Sequence, residues 1–224
     1  MSVSEVAARL PGIEIVHTRS VALATLDAIL SADWESRRYS FDVEWGPQEQ
    51  LGSMRNGSGD ECSVVFFQEG AFIRGFDHES EMSPLKRDPA SLWPGLVDGI
   101  PPPFMEFVDE PAFSGKDDAP LMTVCLWRSH QDKEWSFGDL QYPTEGGAAD
   151  GSDWLLGHLV DWSPQIYLES AVQYFEVELE LADVAAVYQG DPLDRQRVHR
   201  MNPERDWDEL VAEVATFSYP VDVN

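Results

Sequence analysis

Four residues near the middle of the chain carry side chains that could act together: Arg55, Asp60, His78 and Glu79. An imidazole titrates near neutrality, a carboxylate beside it can orient the ring and hold its proton, and a guanidinium can orient an anion. All four lie in RNGSGDECSVVFFQEGAFIRGFDHESEMSP, Arg55 to Pro84. Their separation is useful only if CSVVFFQ is one β-strand and AFIRGF its return. Asp60 then begins the first strand and His78 ends the second, and antiparallel pairing brings both to the same end of a hairpin. That end is a candidate site for a hydrolase or a small-ligand-binding protein.

Other patterns exclude more than they suggest. NGSGDE precedes a strand and has no Gly-Lys-Ser/Thr ending, so it lacks the strand–loop–helix context in which amides converge on a phosphate; Asn-Gly and Ser-Gly form a turn instead. In an extended FDHESE, Asp77, Glu79 and Glu81 point to one side and His78 to the other, so one ion would not collect all four, and no metal is expected. His17, His130, His158 and His199 form no HExxH or Cys/His zinc pattern. DGSD, Asp150 to Asp153, lacks the frame of a calcium loop and reads as a cap, from Ser152 or Asp153, for WLLGHL. RQRVHR, Arg195 to Arg200, is the one basic cluster, and neutralising nearby acids within the fold is its expected role. A glycosidase carboxylate pair could be drawn from 41 acids, but so many acids make any such pair uninformative. No cofactor is implied.

The elements that must position these residues change character once along the chain. From about Tyr39 to Leu140, short runs rich in Val, Phe, Ile and Trp (YSFDVEW, CSVVFFQ, AFIRGF, LMTVCLW, EWSFGDL) are divided by Gly, Pro and Asp. They read as strands, mostly antiparallel because the gaps are too short for helical crossovers. Before them, SVALATLDAILSADW predicts an amphipathic helix capped by Ser20. WPG and PPPFMEF read as a turn and a short capped helix. After about Ser152 the pattern is helical: Ser163-Pro164 opens QIYLESAVQYF, LADVAAVYQG ends at Gly190, a segment from Asp191-Pro192 stops at Asn202-Pro203, and DWDELVAEVATF carries an apolar stripe. VELEL, within Glu176 to Leu181, alternates and could pair as an edge strand. The fold class expected is α+β: one domain over residues 1–224, β-rich at about 39–140 and α-rich at about 152–218, with an antiparallel sheet covered on one face by helices mostly from the C-terminal half.

Composition sets the kind of partner. The 224 residues include 41 acidic and 15 Lys or Arg side chains, a formal charge of -26. Such a surface repels nucleic-acid phosphates and anionic lipid and attracts cations, so neither nucleic acid nor membrane is an expected partner. Between Lys133 and Arg195 there is no Lys or Arg, while Glu134, Asp139, Glu145, Asp150, Asp153, Asp161, Glu169, Glu176, Glu178, Glu180, Asp183, Asp191 and Asp194 all occur. Solubility or salt adaptation would explain that run; a docking face for a basic protein would explain it as well. No apolar run is long enough to span a bilayer, and Glu5 and Arg9 interrupt any signal-peptide core, so a cytoplasmic protein is expected. Cys62 and Cys125 lie in apolar runs, as buried free thiols do.

Taken in order, MRNGSGDE, GAFIRGFDHESEMSP, the segment from WPG to EFVDEPAF, TVCLWR with Trp135 after it, DGSDWLL, YFEVELELADVAAVY and RMNP resemble a family of bacterial cytoplasmic proteins of uncharacterised function. The resemblance spans about Leu51 to Arg205; it implies one α+β unit of bacterial origin and transfers no site, activity or cofactor. With no catalytic motif and a long stretch free of basic residues, the leading expectation is a non-enzymatic, acidic interaction protein that binds a basic partner, of immunity or regulatory type. Trp154, Trp162 and Tyr167 are the aromatic anchors such a face would offer. The alternative is the hydrolase or small-ligand site around His78.

Overall fold

A computed structural model describes residues 1–115, 119–143 and 149–222. Glu145, one of the acids of the basic-free stretch, lies outside them. Five strands form one antiparallel sheet in the order β1-β2-β3-β4-β5: β1 Tyr39–Gly46, β2 Glu49–Arg55, β3 Glu61–Phe67, β4 Gly70–Phe76 and β5 Val124–Ser129. The helices are α1 Val3–Arg9, α2 Ile13–Leu30, α3 Pro102–Met105, α4 Ser152–Leu155, α5 Gly157–Val160, α6 Pro164–Phe175, α7 Leu181–Tyr188, α8 Arg195–Met201 and α9 Trp207–Thr216. The fold is α+β, as the change in sequence texture predicts. Among the described residues no helix is long and apolar enough to cross a membrane.

Strand alternation divides the sheet's side chains between two cores. Tyr39, Met54, Cys62, Val64, Phe66, Ala71, Ile73, Val124 and Leu126 face one core, shared with α1, α2 and the helices of the C-terminal half. Val65, Phe67, Phe72, Cys125 and Trp127 face the other, closed by Leu96, Ile100, Phe104, Phe107, Val108 and Phe113 from the β4–β5 connection. Cys62 and Cys125 thus point to opposite faces, both free and buried. Their thiols are held neutral by desolvation, which pushes Cys62 up to about 12 and Cys125 higher still.

Five local expectations are corrected. β2 comes from EQLGSMR, which has only Leu51 and Met54 as apolar residues, whereas EWSFGDL forms no strand and contributes one bridge, Ser136 to Trp127. Gly52 explains why so apolar-poor a segment is central: a Cβ there would stand 2.9 Å from Ser20 Cβ, so α2 packs directly on this strand. Ser20 is not a cap. α2 starts at Ile13, and Ser20 sits buried within it, its hydroxyl donating to Val16 O at 2.9 Å. Nor is α2 amphipathic: every residue from Ser20 to Leu30 is buried, because the sheet lies on one side and α7, α8 and α9 on the other. Neither Ser152 nor Asp153 caps α4: its N-cap is the left-handed Gly151, and Asp150 Oδ1, one residue before it, accepts Ser152 N at 2.9 Å. VELEL forms no strand: residues 177–180 connect α6 to α7, and Leu181 opens α7.

Candidate functional site

The β3–β4 hairpin pairs Glu61 with Phe76 at its open end and Phe67 with Gly70 at its turn. The residues just outside that register, Asp60 and His78, therefore meet. His78 Nδ1 stands 2.6 Å from Asp60 Oδ1, and the same oxygen accepts His78 N at 2.9 Å. Asp60 is anchored from behind by the NGSGDE turn. Asn56 Nδ2 donates to its Oδ2 at 2.7 Å, and Asn56 Oδ1 accepts Ser58 N and Asp60 N. Gly57 and Gly59 both take positive φ, +75° and +104°, which is why glycine recurs in this turn. His78 is half-exposed and Asp60 buried, with side-chain exposures of 39% and 8%.

The electrostatics follow from this contact. The hydrogen bond that Asp60 accepts from the ring raises the imidazole above its ordinary value, helped by the charges of Asp60, Glu79 and Asp77. Burial works against ionisation of Asp60, but the bonds from His78 and Asn56 outweigh it and hold the carboxyl below its ordinary value. With Nδ1 held by Asp60, Nε2 makes no hydrogen bond among the described residues, so it is the nitrogen left to meet a ligand.

A third group arrives from the far side of the chain. Asp77 Oδ1 accepts Glu79 N and Ser80 N, and its Oδ2 accepts the indole Nε1 of Trp154 at 3.2 Å. Gly151 makes room: a Cβ there would fall 2.7 Å from the Asp77 carboxylate. Asp60, Asp77 and His78 each present a ligand atom within 4.8 Å of the other two. Two oxygens and an imidazole nitrogen of this kind could hold a divalent cation. The grouping differs from the one weighed in the sequence: Glu79 and Glu81 stay exposed outside it, and Asp60 enters from the other end of the hairpin. The carboxylate oxygens already accept hydrogen bonds from Asn56, Trp154 and three backbone amides, which gives them a structural role without any ion.

Arg55 does not join His78. Its guanidinium lies over the Trp34 ring at 4.0 Å and donates to Trp34 O at 2.7 Å, so it is removed from the ligand-binding set. Of the proposed anchors, Trp154 is 43% exposed beside Asp77. Trp162 is half-buried, one face stacked on Tyr188 at 4.0 Å with Arg19 5.0 Å from its ring. Tyr167 is only 1% exposed and donates to the buried Asp27 Oδ1 at 2.7 Å; it belongs to the core and is not an anchor. Exposed apolar side chains that the sequence reading passed over lie nearby on α6 and α7: Ile166, Tyr174 and Leu181. Ile166 precedes Tyr167 by one residue and so points about 100° away from it around α6, whereas Tyr174, seven residues on, shares its side of the helix.

The chain's positive charge is mostly engaged within the fold. Arg37 and Arg205 are buried against Glu213, Arg74 against Glu61, and Arg197 and Arg200 share Asp183. Arg19 donates to the carbonyls of Leu159 and Val160, and Arg87 lies over Trp93. RQRVHR thus neutralises acids of the fold, as expected. By contrast Glu169, Glu176, Glu178 and Glu180 are exposed and make no ion pair among the described residues.

Comparison of the chain with protein-family models, with characterised proteins and with solved structures finds no match. The likeness in segment order noted above is therefore not carried by any family model, and the chain's own side chains are what bears on function.

Proposed function

We propose that this protein is a non-enzymatic binding protein for a basic protein partner, of immunity or regulatory type, and that it docks through the rim between α6 and α7. The observation that carries this reading is the alternating exposure of the α6–α7 connection, residues 176–180. Val177 and Leu179 pack inward, which leaves Glu176, Glu178 and Glu180 exposed in a row. Tyr174 and Leu181, exposed by 38% and 42%, flank that row in the chain, and Ile166, exposed by 44%, lies on the first turn of α6. Acids with the arginines turned elsewhere steer a cationic partner and select it by sign, while apolar side chains at the centre supply affinity. The test is charge reversal. A basic polypeptide isolated on the immobilised protein at low salt should dissociate as salt rises. It should bind a folded Glu176→Lys, Glu178→Lys, Glu180→Lys variant at least tenfold more weakly. Unchanged affinity removes this rim from the reading.

The 2.6 Å contact of Asp60 with His78 favours a second reading, a small-ligand or hydrolytic site at the hairpin end. His78 would be the pH-active group, oriented by Asp60, with Glu79 at the mouth and Trp154 as an apolar wall. Binding or turnover of a small-molecule probe should be lost in His78→Gln and Glu79→Gln at unchanged thermal stability; activity that survives both substitutions excludes these residues.

A further inference from the structure

The two edges of the sheet are finished differently. Along β5, Trp127 N donates to Ser136 O at 3.0 Å and Ser136 N to Trp127 O at 2.8 Å, so a neighbouring segment closes that edge. Along β1, hydrogen-bonded to β2 on one side, no backbone partner meets the outer edge from Phe41 to Trp45 among the described residues, although Glu44 N already donates to Asp42 Oδ1 at 2.9 Å. Beside this open edge runs a groove of about 730 Å³ lined by Trp34, Phe41, Val43, Trp45, Leu51 and Thr216. Its volume falls within the roughly 300–1,000 Å³ typical of ligand sites. Trp34, at its rim, is 54% exposed.

The charges at this edge select among occupants. Asp42 and Glu44 are exposed on β1, and Asp33 and Glu35 are exposed on the turn before it. Of the nearby basic groups, Arg37 is buried against Glu213 and Arg38 lies over Tyr39 and Tyr174, while Arg55 is held on the Trp34 ring at the groove's rim, away from Asp42 and Glu44 in the chain, and donates to Trp34 O. A second copy paired antiparallel along β1 would set acids against acids, and like charges on facing strands destabilise pairing. The pairing with β2 also shifts register between Asp42 and Gly46, a local irregularity that discourages a long continuous self-association. A cationic strand meets no such repulsion.

We propose that the free edge of β1 takes up an extended, cationic segment of the basic partner as a sixth strand. Its main chain would bond the outer amides and carbonyls around Phe41 to Val43, its Lys or Arg side chains would reach Asp42 and Glu44, and its apolar side chains would lie in the Trp34–Trp45 groove. Strand addition of this kind draws affinity from main-chain hydrogen bonds and specificity from alternate side chains. The inference rests on the reading of this protein as a receptor for a basic protein, but it assigns a geometry and a surface that the α6–α7 rim does not.

The test uses the full chain and two labelled nine-residue peptides of equal charge, one alternating Lys and Val, the other alternating Lys and Pro. Proline removes every second donor and disfavours pairing without changing charge. The Lys–Val peptide should bind at least tenfold more tightly at low salt, slow amide exchange at Phe41 to Val43, and lose affinity in an Asp42→Lys, Glu44→Lys variant that keeps its thermal stability. Equal binding of the two peptides, or protection confined to residues outside β1, overturns strand addition and leaves acidic docking standing. Failure of both peptides, with no salt-dependent binding of any basic protein, overturns the inference together with the reading beneath it.

Discussion

His78 Nδ1 and Asp60 Oδ1 lie 2.6 Å apart although 18 residues separate them in sequence, because Asp60 immediately precedes Glu61 and His78 follows Phe76 by two residues at the open end of the same hairpin. The contact ties the turn that follows β2 to the loop that leaves β4, and it fixes which imidazole nitrogen remains open.

Asp60→Asn should lower the His78 pKa towards the ordinary histidine value, as read by the imidazole resonances in an NMR titration. The folded value is raised by Asp60, so the pair's contribution is fully present below the unfolded histidine pKa and is lost as pH rises through the folded one. A His78 titration unmoved by the substitution would show that the hydrogen bond does not form in solution.

Asp27 gives a pH dependence of stability with the opposite chemistry. It is completely buried, and desolvation raises its carboxyl from 3.8 to about 6 against the bonds from Tyr167 Oη, Tyr39 N and Arg38 N. The folded state then holds a proton that the unfolded chain releases, so this residue's contribution falls as pH rises from about 4 to about 6 and stays low above that. The difference is on the order of 3 kcal/mol. Asn keeps the acceptor for the two amides without the charge. Asp27→Asn should therefore gain on the wild type between pH 4 and 7 in urea unfolding; a difference independent of pH would contradict burial of the ionised form.

His158 acts in the reverse sense over a neighbouring range. Burial, with the charge of Arg38 adding to it, lowers the imidazole to about 4, and the ring packs edge-on to Tyr39 at 5.7 Å and Tyr167 at 6.2 Å. The unfolded chain binds the proton more readily, so stability is full above about pH 6.5 and is lost as pH falls towards 4, again by on the order of 3 kcal/mol. His158→Phe keeps the ring contacts and should flatten this acid limb in the same denaturation series. An acid limb unchanged from wild type would place the ring in solvent.

Arg74 is 1% exposed in β4, lies 4.7 Å from the centre of the Phe113 ring and pairs with Glu61. Glu61→Ala leaves a buried charge without its counter-ion and should cost about 3 kcal/mol, whereas Arg74→Met replaces the pair with apolar packing and should cost less. Chemical denaturation of the two variants decides it: if the arginine substitution is the more damaging, the guanidinium makes contacts worth more than its desolvation.

Much of the architecture was legible because local rules govern it. Gly190 at φ +76° ends the last turn beyond α7, and Ser163 precedes α6 with proline in its first turn; the segment read from Asp191-Pro192 begins its helix only at Arg195, capped by Asp194 through Arg197 N. The Asp60–His78 approach was legible too, since a two-residue turn between alternating runs sets the register of the whole hairpin. β2 was not, because its pairing comes from two neighbouring strands and from Gly52 under α2, and its own residues carry little apolar pattern. Tyr167 misled for a related reason. A helical stripe shows which residues share a face, but whether that face meets solvent or another helix is decided elsewhere in the chain.

The sequence by itself determined the change from strands to helices, the turn chemistry, the excess of acid and the hairpin that joins Asp60 to His78, all of which depend on composition or on neighbours within about one supersecondary unit. Tertiary structure alone decided that Trp154 would reach Asp77 from 77 positions away, that Asp27 and Tyr167 would meet inside the core 140 positions apart, and that the arginines would turn inward and leave the acids outside. These contacts follow from how apolar surface is buried between distant elements, and burial of that kind depends on the whole packed shape, which no local spacing records.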